Sequence, residues 1–384
     1  MNVDYDAIVV GGRCAGAATA MLLARGGLRV LVIEASRPGT DTLSTHALMR
    51  GGVVQLARWG LLDDVVAAGT PAIRCTEFVY GGDTVETVDI VPGGGVCALR
   101  APRRTLLDAL LLDAARAAGA EVRAPARVTR VRTDGRRVCG VDGVERGAPF
   151  RATAPLTIGA DGRRSTVASG VRAAVRRCGT ASGAVVYGYF ADLPRDRYRW
   201  AYRLGVTAGV IPTGQELACV WAGTSSARFR GLRALGPDLA HRTLLAEADP
   251  DVAESLNTAP VGAFRAFPGQ PGWIRASAGP GWALVGDAGY YKDPITAHGI
   301  TDALRDAELL ARAVLDAPPG RRARLAALHD YERTRDQLSE QLFDVTERIA
   351  GYRWDLNQVR EELRILSRVM RSEVKALSEL DNAA

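Results

Sequence analysis

Gly11-Gly12-Arg13-Cys14-Ala15-Gly16 stands between a short apolar run, Asp6 to Val10, and a stretch of helical composition, Ala15 to Arg25. A chain that turns this sharply out of a strand sets backbone N–H groups and a helix N-terminus against a pyrophosphate, and glycine is the residue that fits such close approaches. The first and last glycines hold the positions this chemistry needs. Arg13 takes the middle one, where it either adds a cation near the phosphates or points to solvent. Glu34 and Ala35 follow a second apolar run, Arg29 to Ile33. A carboxylate about 20 residues past the glycines accepts the ribose hydroxyls of an adenosine; its other reading is a solvated acid at a strand end.

Two further carboxylates follow short apolar runs. Asp161 lies in Gly159-Ala160-Asp161-Gly162-Arg163-Arg164-Ser165, after Leu156 to Ile158, and Asp287 lies in Leu284-Val285-Gly286-Asp287-Ala288, after Trp282. Each is placed either to accept hydrogen bonds from sugar hydroxyls or to cap a turn or helix. Asp41-Thr42-Leu43-Ser44-Thr45-His46 adds Ser44 and His46, candidates for bonding cofactor or substrate, and His298 closes Asp293-Pro294-Ile295-Thr296-Ala297-His298 ahead of Gly299 and Ile300. Both histidines are candidates for catalysis, weighed against capping or core roles.

Jointly, these segments resemble the flavoproteins with the p-hydroxybenzoate hydroxylase fold, in order and in spacing. Leu99 to Leu112 is similar to that family's arginine-led helix, whose arginine lies near FAD; Arg104 fits best, with Arg103 the alternative. The Asp161-Gly162 segment looks like the family's "DG" motif, associated with FAD and transient reduced nicotinamide, so NADH or NADPH is the implied electron donor. Gly286-Asp287 looks like its "GD" motif, whose aspartate holds the ribityl chain. By the same resemblance Ser44 runs along the flavin side, and Pro294, Gly299 and Ile300 lie beside the flavin pyrimidine. A helix N-terminus there stabilises the anionic reduced ring.

The elements that must position these residues alternate as an α/β chain. A βαβ unit opens the sequence, a helix follows at Arg104 to Ala118, then a strand from Glu121 and a hairpin-like stretch through Thr133-Asp134-Gly135-Arg136. Val185 to Phe190, Arg199 to Leu204, Ala208 to Ile211 and Leu217 to Trp221 are short β-type runs, predicting an inserted antiparallel sheet. A helix spans Gly299 to Leu315, and after Pro318-Pro319-Gly320 amphipathic helices run to about Leu380. The predicted fold is a Rossmann-like FAD-binding domain of glutathione-reductase type over residues 1–75, 99–175 and 276–318. A substrate-binding β-sheet domain covers 76–98 and 176–275, and a helical region covers 319–384. Tyr187, Tyr189, Trp200, Tyr202 and Trp221 alternate as strand residues do, part core and part lining for an apolar substrate.

Composition removes several function classes. The 6 cysteines are scattered without a CxxC pair or a Cys/His cluster, so neither a disulfide framework nor a metal site is expected. The net charge of +6 comes from dispersed arginines, which does not make a nucleic-acid stripe. No apolar run approaches the roughly 20 residues of a membrane span, and Met1 to Asp6 carries two acids rather than a basic leader; a cytoplasmic protein is expected. Within the resemblance, halogenases use a lysine in their N-terminal part, and this chain has none before Lys292. Aromatic hydroxylases commonly carry histidine soon after the GD aspartate, where this chain has Ala288-Gly289-Tyr290-Tyr291. The branch it looks most similar to is that of geranylgeranyl reductases. Of the aromatic motif that seats their isoprenoid, only Pro212 is matched within Thr207 to Pro212. The expectation is an FAD-dependent reductase of a carbon–carbon double bond in an apolar, polyketide-like or terpenoid metabolite. A monooxygenase on a similar substrate is the alternative, and a non-catalytic flavin-binding protein is a third reading.

Overall fold

The computed structural model describes residues 4–82 and 84–380. Met1 to Val3 and the last residues of the predicted helical region lie outside them. Ala7–Val10 is a buried run of Ala, Ile and Val, and it pairs in parallel with Val30–Ile33 on one side and Thr157–Gly159 on the other. Runs this apolar are buried on both faces, as parallel strands must be. The resulting six-stranded sheet has the order Ala278–Gly279, Trp282–Leu284, Thr157–Gly159, Ala7–Val10, Val30–Ile33, Glu121–Arg123. The Cys14–Arg25 helix packs on it, its small buried residues Ala17, Ala18 and Ala20 letting the Gly299–Leu315 and Arg104–Ala117 helices come close.

A hairpin of Ala126–Thr133 and Val138–Glu145 extends this half, with Ala148–Thr153 as its third strand. Its turn forms because Asp134 accepts the Arg136 and Arg137 N–H groups and Gly135 adopts φ 92.

The inserted sheet has seven strands, in the order Arg265–Phe267, Gly183–Phe190, Ala218–Ser225, Val206–Pro212, Arg197–Arg203, Cys75–Tyr80, Thr84–Asp89. The four strands expected from sequence pair antiparallel with one another, and Arg197–Arg203 also runs parallel to Cys75–Tyr80. Side chains alternate across it. Val186, Phe190, Val220 and Ala222 face a layer made by the Gly236–Ala248 helix and its neighbours. Tyr187, Tyr189, Tyr198, Trp200 and Trp221 face the other way, into an aromatic core shared with Trp354 of the C-terminal region. The Ser226–Leu232, Gly236–Ala248 and Pro250–Ser255 helices are additions that the β-type reading of this region lacked.

Two helices, Arg321–Ala350 and Leu356–Glu379, complete the described residues. The second begins in a capping box, with Asp355 accepting the Gln358 N–H at 2.8 Å and Gln358 accepting the Asp355 N–H at 2.9 Å. Among the described residues no helix is long and apolar enough to cross a membrane.

Asp249 ties the inserted sheet to its helices: it caps Pro250–Ser255 and takes a two-pronged bond from Arg199 at 2.7 and 3.0 Å. Asp249→Ala is expected to lower unfolding free energy by roughly 1–2 kcal/mol, since it removes a helix cap and one partner of Arg199, which keeps Glu77 at 3.3 Å. Urea unfolding measures this, and cofactor retention by the same variant should equal that of the parent.

Candidate cofactor and substrate site

A cavity of about 600 Å³ opens where the carboxyl ends of the parallel strands meet the aromatic face of the seven-stranded sheet. The Gly-rich turn forms one wall. At Gly11, φ 103, a Cβ would stand 2.4 Å from the Ala160 carbonyl oxygen, and at Gly16 it would stand 1.8 Å from the Gly11 oxygen. Neither position accepts a side chain. Arg13, Cys14 and Ala15 line the cavity beside Gly11, whereas Gly12 and Gly16 shape the turn from behind. One nitrogen of Arg13, Nη1, is buried without a hydrogen-bond partner and stands 3.9 Å from Asp108. Arg13 thus lines the cavity with one donor unused.

Glu34 and Ala35 lie at one end of the cavity with Arg127. Glu34 is buried, and its carboxylate accepts the Gly12 N–H at 2.6 Å, the Ser36 N–H at 2.7 Å and the Ser36 hydroxyl at 2.5 Å. A carboxylate offers about four lone-pair sites, so roughly one remains for a ribose hydroxyl. Glu34 therefore clamps the glycine turn as well as facing the cavity.

Arg104 lines the cavity and Arg103 does not. Arg104 is held by Asp108 at 2.9 Å, the same carboxylate that accepts the Cys14 N–H, and Arg103 instead stacks 3.8 Å above the Tyr189 ring. His46 is on the wall but committed. Its Nδ1 accepts the Arg104 N–H at 3.2 Å, which leaves the proton on Nε2, 2.5 Å from the Tyr189 hydroxyl. Burial first, then Arg103 and Arg104, hold its pKa well below the ordinary value. His46 thus caps the Arg104–Ala117 helix as a neutral ring, contrary to the catalytic expectation. Ser44 lies beside it, its hydroxyl accepting the His46 N–H and its own N–H bonding Tyr187.

Asp161 and Asp287 separate. Asp161 accepts the Thr166 N–H at 2.6 Å and the Ser165 hydroxyl at 2.5 Å, so the capping alternative describes its side chain, though it and Gly162 line the cavity. Asp287 lines the same cavity, and among the described residues nothing donates a hydrogen bond to it. Burial raises its pKa to about 6, with Arg163 and Lys292 opposing. It remains an open acceptor on the wall. Gly286, at φ 58, lies behind it, its N–H bonded to Asp306 at 3.0 Å.

Pro294, Gly299 and Ile300 line the far wall, where Ala297 turns the chain at φ 50 into the Gly299–Leu315 helix. His298 is not on that wall. Its ring is 1% exposed and its Nε2 lies 2.6 Å from Glu373, so the expectation of catalysis by His298 is corrected to a buried structural contact. His298, Asp302 and Glu373 come close enough to suggest a cation site. Arg305 already pairs with both acids, at 3.1 and 2.8 Å, and Lys292 pairs with Asp302. Both acids of the trio are thus already engaged by the protein's own cations.

Sequence reasoning also missed Arg127, Arg163, Arg164, Lys292 and Asp293 as wall residues. Arg163, Arg164 and Asp293 stood inside quoted motifs, and Lys292 was conspicuous as one of two lysines, so those four carried a signal. A smaller cavity of about 30 Å³ adjoins the first through Val185, Asp293 and Pro294, and Trp200, Trp221 and Tyr352 complete it.

The FAD binding domain family profile matches residues 4–346. The chain belongs to that family. It is an FAD-dependent oxidoreductase of the p-hydroxybenzoate hydroxylase-type superfamily. It is 27% identical over 326 residues to a digeranylgeranylglycerophospholipid reductase of Methanocella arvoryzae, covering 82% of this chain and 78% of the relative. It is 27% identical over 372 residues to the ubiquinone hydroxylase UbiL of Rhodospirillum rubrum, covering 86% and 77%. Its fold matches the flavin-dependent brominase Bmp2 with a TM-score of 0.80 at 19% identity, over 99% of this chain and all of that one.

The wall fits FAD. Arg13 offers a buried Nη1 donor without a hydrogen-bond partner for the pyrophosphate, the glycine turn admits close backbone approach, and Asp287 offers free acceptors for hydroxyls. Purified protein should release FAD rather than FMN on heating, as chromatography of the supernatant reads directly. Asp287→Ala should weaken FAD binding by roughly 1.5–3 kcal/mol, or about tenfold to a hundredfold in Kd. Glu34→Ala should weaken it further, because it also frees the Gly12 turn; equal retention by both variants would remove this assignment.

Proposed function

We propose that this oxidoreductase reduces a carbon–carbon double bond of an apolar small molecule, polyketide-like or terpenoid, with NADH or NADPH as transient electron donor. Bound FAD, once reduced, supplies the hydride for this chemistry. The chain must then supply a proton and a dry, apolar seat. Neither candidate histidine is placed to act: both ring nitrogens of His46 are engaged by Arg104 and Tyr189, and His298 does not line the cavity.

The observation that carries the reading is Asp293. Its carboxyl is 2% exposed, lies on the wall shared by both cavities, and has no cationic partner among the described residues. The Gly183 and Ile295 N–H groups fix it at 2.6 and 3.0 Å. Burial drives its pKa up to about 7, with Glu347 adding to the rise. A carboxylic acid that is half protonated near neutrality is a competent general acid. Trp200, Trp221 and Val185 supply apolar surface next to it. The reductase relative supports the same direction.

The hydroxylase relative, at equal identity, favours a second reading in which oxygen is inserted into a similar substrate. Halogenation has less support: Lys292 is buried against Asp302 and Lys375 is 80% exposed on the last helix.

Anaerobic mixing of chemically reduced enzyme with polyene or enone metabolites tests the reaction class. Flavin reoxidation with a product heavier by two hydrogens supports the reductase. A substrate that leaves the reduced flavin untouched without oxygen, and gains one oxygen atom in air, overturns it.

Asp293 has a test that needs no substrate. Its folded pKa is raised above its ordinary 3.8, so its protonation favours folding below that value and the contribution fades as pH rises towards about 7. Asp293→Asn should flatten this fall in stability across pH 4–7 in urea titrations of the apoprotein, an expected window set by those two values. With a substrate in hand, the wild-type reoxidation rate should drop above about pH 7 and the Asn variant should lack that step.

A further inference from the structure

Glu373 belongs to the last helix, Leu356–Glu379, yet its carboxylate is buried among residues of the FAD-binding half. One oxygen meets His298 Nε2 at 2.6 Å and the other accepts from Arg305 Nη1 at 2.8 Å. His298 immediately precedes Gly299 and Ile300 on the cavity wall. Arg305 also bonds Asp306 at 2.9 Å, and Asp306 accepts the N–H of Gly286, next to Asp287. Two separate pieces of the cavity wall are therefore referred to one carboxylate from the end of the chain. Burial alone would raise the Glu373 pKa; His298 and Arg305 outweigh it and keep the group ionised.

We propose that Glu373 is a positioning residue of the cofactor site, which makes the last helix part of FAD binding rather than a cover over the fold. It acts through His298 on the start of the Gly299–Leu315 helix and through Arg305 and Asp306 on the Gly286–Asp287 turn. A helix N-terminus favours an anion only within its first turn, so small displacements of Gly299 and Ile300 change what the reduced ring feels. Buried ions hold one arrangement because an unpaired one is costly. Arg305 keeps Asp302 and Asp306 if Glu373 loses its charge, at 3.1 and 2.9 Å. His298 keeps only Asp302, at 3.9 Å. The disturbance therefore concentrates beside the cavity.

The inference rests on the FAD assignment and is independent of the reaction class. Glu373→Gln preserves volume and an acceptor while removing the charge, and Glu373→Asp keeps the charge on a shorter arm. FAD titration of the apoprotein, the midpoint potential of the bound flavin and apoprotein melting are measured for both. The expected result for Gln is a rise in FAD Kd of about tenfold or more, with a more negative midpoint potential. Asp should recover part of both. An FAD Kd within about twofold of the parent together with an unchanged midpoint potential, whether or not melting temperature falls, would overturn the proposal and leave Glu373 a purely structural ion. If the Gln variant does not fold, the Asp variant decides by the same two readings. A parent protein that binds no FAD would remove the FAD assignment itself, and this proposal with it.

Discussion

Arg305 is fully buried, and it is tolerable there only because Asp302, Asp306 and Glu373 surround it. Such a group costs several kcal/mol to desolvate, and an incomplete set of partners would be worse than an apolar core. Asp302 and Asp306 lie on its own helix, Glu373 comes from the last helix, and Ser339 of the Arg321–Ala350 helix adds a hydroxyl at 2.9 Å. Satisfying one guanidinium therefore requires three helices and the Gly286 turn to be in register at once. The cavity inherits its shape from that requirement, since Asp302 and the residues flanking His298 and Gly286 form its wall.

Polar groups around the cavity divide into those the chain has already used and those it has left open. Glu34, Asp161, His46 and Arg104 spend most of their hydrogen-bonding capacity on turns and helix ends. They make the wall rigid. Asp287 and Nη1 of Arg13 are left without hydrogen-bond partners, one an acceptor and one a donor. An unpaired polar group at a partly dry wall is unfavourable until a ligand meets it. Binding thus gains from groups that folding leaves unmet, and preorganisation comes from the others.

The parts of this arrangement visible in sequence were those whose signals are local. Apolar runs, the glycine turn and the long helix after Gly299 follow from periodicity and composition within a few turns of chain. The partners of a buried polar group are not local. His46 is 58 residues from Arg104 and 143 from Tyr189, so whether its ring was a catalyst or a cap depended on folding that no window reveals. Asp161 met a similar limit in reverse: its cap partners lie 4 and 5 residues on, close enough to be read, but its glycine-rich setting resembled a ligand motif equally well. The helices from Ser226 to Ser255 were hidden by a run of Arg, Ala and Gly between strands, a composition that does not distinguish a short helix from a loop.

Charge at the reacting end is set from behind the wall. Lys292 and Asp302 pair with each other, and both act on Asp287: the lysine lowers its pKa while the aspartate raises it. Arg163 and Arg104 add to the lowering, and burial opposes all three cations, so Asp287 stays ionisable near neutrality rather than being locked in one state. Asp293 has no such correction, and its proton is retained to higher pH although it is only 6 positions further on. Burial raises both carboxyl groups on this cavity wall above the ordinary carboxylate range, with cations opposing the rise at Asp287 and none doing so at Asp293. The divergence of paired environments is what allows an acceptor and a proton donor to coexist on one wall. Here the first lies among the cations of the cofactor side, and the second lies against the apolar pocket of the sheet.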